Sequence, residues 1–232
     1  TNFMCGINSI IYFDKEKTVE KEKIEQMNSL LSHRGPDGKG IFIHNNVGLG
    51  HVRLSIIDPE HGGQPFLSED GNHILIFNGE IYNYIELRSL LVQKGYKFNT
   101  NSDTEVLLKM YLEYREKCPD QLNGMFAFII YNKLEQTIFI ARDRIGVKPI
   151  YYYQDQERIL ITSEIKSVTK TNLVKPEIDY AGLLDYLYFQ FPLGDKTLFK
   201  DIKQLEPAKY MSIDLAKREI EIKTYWQVNY EI

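Results

Sequence analysis

Short runs of apolar, β-branched and aromatic residues recur along the chain, and their length and composition predict strands. They cover residues 7–13, 40–43, 47–57, 73–78, 125–131, 137–141, 149–153 and 158–162. Short, turn-rich links separate many of them, which favours antiparallel pairing. Helical spacing interrupts the runs. Residues 21–32 place Ile24, Met27, Leu30 and Leu31 on one face, and 83–94 repeat the pattern with Leu87, Leu90 and Leu91. Residues 102–117 open on a capping box, Ser102 with Glu105, and carry Val106, Leu107, Met110 and Leu112. A later helix is predicted over 179–189. Two runs of strands divided by helices predict two stacked antiparallel sheets with helices outside, a layered α+β domain. From 176 to 232 the chain becomes rich in Lys and Glu with short strands such as 209–213, and reads as an extension leading away from that domain.

Composition narrows the class. A length of 232 residues suits one large domain, or a domain with an appendage. With 43% hydrophobic and 26% charged residues, disordered and fibrous classes are excluded. The net charge is −4 and the basic residues are scattered, so no nucleic acid partner is expected. No apolar run approaches the roughly 20 residues that cross a bilayer, and the first residues lack the regions of a signal peptide. Two cysteines, Cys5 and Cys118, make neither a disulfide framework nor a metal signature, and the five histidines lack ligand spacing. No metal is expected, and the location expected is cytoplasmic.

Several residues carry candidate chemistry. If Met4 is an initiator that is removed, Cys5 holds both a thiol and a free α-amine, which can activate the thiol without a separate histidine. A buried apolar cysteine opening a strand accounts for the same dipeptide. Asn78-Gly79, after an apolar run, can form a two-donor oxyanion hole from a side-chain amide and a glycine N–H. Asn-Gly is also a common hairpin turn, although a helical pattern rather than a return strand follows here. Arg53, in the apolar Gly50-His51-Val52-Arg53-Leu54-Ser55 stretch, suits bidentate capture of a carboxylate or a surface ion pair. Asp103 sits in the first turn of a helix, where it can pair with an ammonium group or simply complement the dipole. The charges of Arg142, Asp143, Arg144 and Lys148 fit a turn organised by internal ion pairs better than a phosphate site.

In chain order the sequence carries Met4-Cys5-Gly6-Ile7, His33-Arg34-Gly35-Pro36-Asp37-Gly38, Gly50-His51-Val52-Arg53-Leu54-Ser55-Ile56-Ile57-Asp58, Gln64-Pro65, Phe77-Asn78-Gly79-Glu80-Ile81-Tyr82-Asn83, Ser102-Asp103-Thr104-Glu105, Leu122 to Phe128 and Ala141 to Tyr152. Together they resemble the class II glutamine amidotransferase domain of glutamine-hydrolysing asparagine synthetases, from Met4 to about Glu164 and more weakly to Trp226. The resemblance implies an N-terminal-nucleophile (Ntn) hydrolase fold, a four-layer αββα sandwich of two antiparallel sheets. It also implies roles: Cys5 as nucleophile with its α-amine moving the proton, Asn78 and Gly79 at the oxyanion, and Arg53 at the α-carboxylate of L-glutamine. Asp103 with Glu80 would bind the α-ammonium, and backbone from Leu54, Ser55, Ile56 and Ile57 would line the pocket.

The domains expected are residues 1–4 as tag remnant, leader or initiator Met, 5–190 as the amidotransferase domain, and 191–232 as a linker toward a synthetase domain. The sequence contains no glycine-rich pyrophosphate loop, so ATP and magnesium are expected only in that linked synthetase domain and no cofactor in this one. Association as a homodimer is left open. Alternatives are the same glutaminase serving a sugar or carboxylate acceptor, a non-catalytic binding module, or an unrelated amidase. Retention of Cys5, Arg53, Asn78, Gly79 and Asp103 together argues against the binding module, and the Arg53 and Asp103 pair, suited to a free amino acid, argues against the unrelated amidase.

Overall fold

The computed structural model describes residues 4–55, 57–58 and 62–230. In chain order its strands are β1 (Gly6–Tyr12), β2 (Gly38–His44), β3 (Val47–Arg53), β4 (Phe66–Leu67), β5 (His73–Ile81), β6 (Gly124–Asn132), β7 (Thr137–Arg142), β8 (Tyr151–Gln154), β9 (Arg158–Thr162), β10 (Ile202–Gln204), β11 (Lys209–Asp214) and β12 (Glu219–Thr224). The helices are α1 (Lys21–Leu30), α2 (Tyr84–Gln93), α3 (Asp103–Tyr114), α4 (Cys118–Gln121), α5 (Lys166–Thr169) and α6 (Tyr180–Phe189). The strands form two antiparallel sheets of six. Sheet A runs β10-β8-β9-β1-β3-β2 and sheet B runs β12-β11-β7-β6-β5-β4.

The pleat sorts side chains into layers, because successive residues of a strand face opposite sides. From β1, Ile7 and Ile11 enter the space between the sheets and meet Leu49, Ile74, Ile76, Ile129 and Ile140. The alternate residues, Ile10 and Tyr12, face outward with Leu160 under Ile24 and Met27 of α1 and Val168 of α5. On the far side, Leu75, Phe77 and Phe128 of sheet B pack beneath Leu87 and Leu91 of α2 and Val106, Leu107 and Met110 of α3. The result is the expected αββα sandwich. Burial on both faces explains why most of these strands read as continuous apolar runs rather than clean alternations.

Several boundaries differ from the sequence reading, each for a local reason. β3 stops at Arg53 rather than at 57. β5 runs on through Ile81, so Asn78 and Gly79 lie inside a strand and not at its end; their pairing with Ala127 and Phe126 of β6 carries the strand onward. The 102–117 helix breaks at Arg115, whose φ is 51°, and resumes as α4 with Pro119 in its first turn. Ser102 caps α3 by accepting the Glu105 N–H, but the reciprocal half of the box is absent. The Glu105 carboxylate instead accepts from the N–H groups of Asn99 and Thr100 and pairs with Lys109. The boundary expected after residue 190 falls inside the sandwich. β10 extends sheet A, β11 and β12 extend sheet B, and Met211, Ile213 and Leu215 enter the central core.

α6 differs from the other helices. Gly182, its sole buried residue, lies against the Thr197 carbonyl, where a Cβ would collide. Tyr180, Leu184, Leu187 and Tyr188 all face outward, Leu187 68% and Tyr188 81% exposed.

Candidate active site

A cleft of about 530 Å³ opens at one end of the sandwich, and both sheets contribute to it. Cys5 sits just ahead of β1. Its Sγ accepts the Leu54 N–H at 3.3 Å and faces the Leu54 carbonyl at 3.6 Å. Its own carbonyl accepts from Arg34 Nε at 3.0 Å, and the Met4 N–H donates to the Arg34 carbonyl at 2.9 Å. Arg34 is buried and pairs with Glu164 at 2.9 Å. Burial works to raise the Glu164 carboxyl, but hydrogen bonds from Arg34, Lys166 and His33 outweigh it and hold it at about 2. Arg34, from the His33 to Gly38 motif, thus holds the Cys5 main chain, while Asp37 of the same motif bonds the Arg53 and Ser55 main chain. Burial pushes the Cys5 thiol up, against the Leu54 hydrogen bond and the nearby charges of Arg53 and Lys148.

Sheet B supplies the opposite wall. The parity that sends Ile74 and Ile76 into the core also turns Asn78 inward, where the strand reaches the cleft. Asn78 is 0% exposed, yet neither its Nδ2 nor its Oδ1 hydrogen-bonds any described residue. An amide buried in this state costs free energy on the order of 1–3 kcal/mol unless a water, ion or ligand group completes it. Gly79 follows, with its backbone against β6 so closely that a Cβ would collide with the Met125 carbonyl oxygen. Glu80 also lines the cleft.

Arg53, at the end of β3, faces the cleft, and its Nη2 donates to the carbonyls of Asp58 at 2.8 Å and Ile57 at 3.4 Å. Asp103 begins α3, is buried, and accepts the Ile81 N–H at 3.1 Å. Burial raises its carboxyl to about 6, with Glu80 pushing the same way against several backbone N–H groups. Leu54 and Ile57 line the cleft. Ser55 does not, and its N–H is taken by the Asp37 carboxylate at 2.8 Å. Ile56 lies outside the described residues. The structure thus gathers Cys5, Arg53, Leu54, Ile57, Asn78, Gly79, Glu80 and Asp103 around one space.

Two residues that sequence reasoning left without a role line the same cleft. Lys148 is delivered by the charged turn after β7. There the Asp143 carboxylate accepts from the N–H groups of Phe126, Val147 and Lys148, while Arg142 Nε donates to the Lys148 carbonyl. The turn is held by charges acting on backbone rather than on each other, so the Lys148 main chain is fixed while its side chain points into the cleft, Nζ at 3.0 Å from Met4 Sδ. Burial pulls its ammonium down, partly offset by Glu80. Gln64 is the second, and its only sequence signal was membership of the Gln64-Pro65 motif. Among the described residues no group of three or more His, Cys, Asp or Glu side chains is placed to hold a metal ion. No described helix is long and apolar enough to cross a membrane.

Residues 4–226 match a family model described as a glutamine amidotransferase domain. The chain is 45% identical over 234 residues to asparagine synthetase (glutamine-hydrolyzing) 1 of Bacillus subtilis (strain 168), covering 98% of this chain and 36% of that protein. It is 40% identical over 250 residues to a putative asparagine synthetase (glutamine-hydrolyzing) 2 of Methanocaldococcus jannaschii, covering 97% of this chain and 47% of that protein. The chain therefore spans less than half the length of these curated relatives. Among solved structures, the glutamine phosphoribosylpyrophosphate amidotransferase from B. subtilis superposes with a TM-score of 0.69 at 19% identity, over 97% of this chain and 50% of that one. At that identity the likeness speaks to the fold alone.

Proposed function

This chain belongs to the glutamine amidotransferase domain family, and from that premise we propose that it hydrolyses L-glutamine to glutamate and ammonia through a thioester on Cys5. The buried, unpartnered amide of Asn78, opposite Cys5 in the shared cleft, is the observation that carries this reading.

With Cys5 as first residue, its α-amine accepts the thiol proton, directly or through a water, while Sγ attacks the side-chain amide carbon of glutamine. The carbonyl π electrons move to oxygen, and the oxyanion takes hydrogen bonds from Asn78 Nδ2 and the Gly79 N–H. Collapse re-forms the carbonyl, breaks the C–N bond, and the α-ammonium protonates the departing nitrogen to give ammonia. Water then attacks the thioester with the same amine as base, releasing glutamate and restoring the thiol. Arg53 supplies the planar pair of donors for the substrate α-carboxylate, its guanidinium braced by the Ile57 and Asp58 carbonyls. Asp103 and Glu80 hold the α-ammonium, and an arriving cation favours the ionised form of Asp103 that burial resists.

The similarity to longer glutamine-hydrolysing synthetases supports a second part of the reading. Ammonia released here feeds an ATP-dependent amidation in a covalently linked synthetase domain, where ATP and magnesium would bind. The test is glutamate release by protein confirmed by mass spectrometry to begin at Cys5, set against protein retaining residues 1–4. Hydrolysis is expected in the first alone, and equal activity in both would remove the α-amine from the mechanism.

A further inference from the structure

We propose that His51 and Gln64 form a clamp on the Phe77 backbone that positions the oxyanion-binding strand against the nucleophile. The inference rests on the glutaminase reading above and assigns two positioning residues to it.

The geometry starts from a division of labour. Cys5 leads directly into β1 and Arg53 ends β3, both strands of sheet A, whereas Asn78 and Gly79 lie on β5 of sheet B, so the reacting groups meet only if the two sheets hold their relative position at the cleft. An error of about 1 Å in such a constellation costs a large share of the rate. Near the cleft β5 has lost its neighbour on one edge, because β4 pairs only with Leu75 and Ile74. The edge groups of Phe77 therefore need partners. Its N–H donates to Gln64 Oε1 at 2.6 Å, and its carbonyl accepts from His51 Nε2 at 3.0 Å. That carbonyl belongs to the peptide leading into Asn78, so the His51 bond bears directly on the Asn78 main chain, and the Gln64 bond fixes the residue before it.

His51 belongs to sheet A, and Gln64, in the segment leading into β4, packs against that sheet. His51 lies on β3 two residues before Arg53, on the same inward face, and is fully buried. Gln64 rests against β2, where Gly40 allows so close an approach that a Cβ would collide with the Gln64 carbonyl oxygen. A carbonyl can only accept, so His51 must carry its proton on Nε2. Burial, aided by Arg53, holds the imidazole down at about 4, so it is neutral and keeps this tautomer at neutral pH. Neither residue hydrogen-bonds Cys5 Sγ or the Asn78 amide. Each acts through Phe77.

The test uses protein beginning at Cys5 with glutamine as substrate. His51→Leu and Gln64→Leu should each lower kcat at least tenfold. KM for glutamine and the Kd of L-glutamate, measured calorimetrically, should stay within twofold, because the Arg53 and Asp103 grip is untouched. His51→Gln keeps an N–H donor at the Nε2 position and should recover most of the lost kcat. In an Asn78→Ala background, His51→Leu should cost less than threefold more, since there is no longer a side-chain donor to aim. Folded single variants with unchanged kcat would overturn the proposal, as would a full additional loss in the Asn78→Ala background. If His51→Leu does not fold, the half-exposed Gln64 provides the same comparison. Absence of hydrolysis in the unsubstituted trimmed protein would instead sink the underlying reading.

Discussion

The cleft and the outer face of α6 break the ordinary rule of folding in opposite senses. In the cleft, polar atoms of Asn78 are buried with no partner among the described residues; on α6, Leu184, Leu187 and Tyr188 are apolar and exposed. Both leave free energy unclaimed, but of different kinds. An unpaired amide at a strand's inner face makes directional demands that a single carbonyl oxygen can meet. An apolar helix face makes none, and only area satisfies it. The contrast teaches where to look for chemistry: at the cleft, changes of one atom should matter, and on α6 they should not.

The sharpest way to break this contrast is to remove the nucleophile. Cys5→Ala, in protein that begins at this position, should abolish glutamate release, a loss of at least about 10⁴-fold as for other essential nucleophiles. Residual hydrolysis near the unsubstituted rate would move the chemistry elsewhere.

Next comes the orphan amide. Asn78→Ala should lower kcat by about 10²–10³-fold, the range for losing one oxyanion donor, with KM little changed. Thermal unfolding should not suffer, because the substitution removes polar atoms that have no partner in the fold. A variant that keeps its kcat would make Asn78 a structural residue only.

Smaller effects are expected from the substrate-holding groups. Arg53→Lys should raise KM for glutamine about tenfold while sparing kcat, because a point charge cannot reproduce the planar two-bond grip. Asp103 adds a pH signature. Its carboxyl, raised to about 6, is protonated below that pH and then offers no charge to the α-ammonium. For this group, kcat/KM should therefore fall as pH drops through about 6, and Asp103→Asn should start lower and lack that limb. An identical acid limb in both proteins would assign the titration to another group.

At the far end of the scale stands α6. Leu187→Glu should leave kcat and KM unchanged and stability within about 0.5 kcal/mol, as for surface positions generally. It should reduce binding of an apolar dye. A large change in glutaminase kinetics would show that the two regions are coupled.

Much of this was legible in the sequence because layered sandwiches write their layers as apolar runs. The parity of Ile74, Ile76 and Asn78 follows from the pleat once β5 is recognised. What could not be read was the strand's continuation through Gly79 to Ile81, since the helical pattern of α2 begins two residues later and masks it. β4 and β10 are too short to announce themselves, and β12 is largely polar, which made a fully integrated sheet edge look like a linker. Glu105 had the right spacing for a capping box, but nearer backbone donors and Lys109 took its carboxylate. Among the site residues, Cys5, Arg53, Asn78, Gly79 and Asp103 each left a bland reading open, and Glu80, Leu54 and Ile57 came only through the family resemblance; the structure sets all of them around one cleft. Lys148, Gln64 and His51 had no role assigned, because their roles depend on what distant segments bring beside them.

The crowding at Gly79 has a consequence for inheritance. Every one-base change that replaces a glycine installs a residue with a Cβ or a stop, and here a Cβ meets the Met125 carbonyl of the paired strand. The position therefore has no neutral neighbours in sequence space. Drift can reshape the rim of the cleft through exposed positions such as Val147, but at Gly79 descendants either keep the residue or must shift two strands at once.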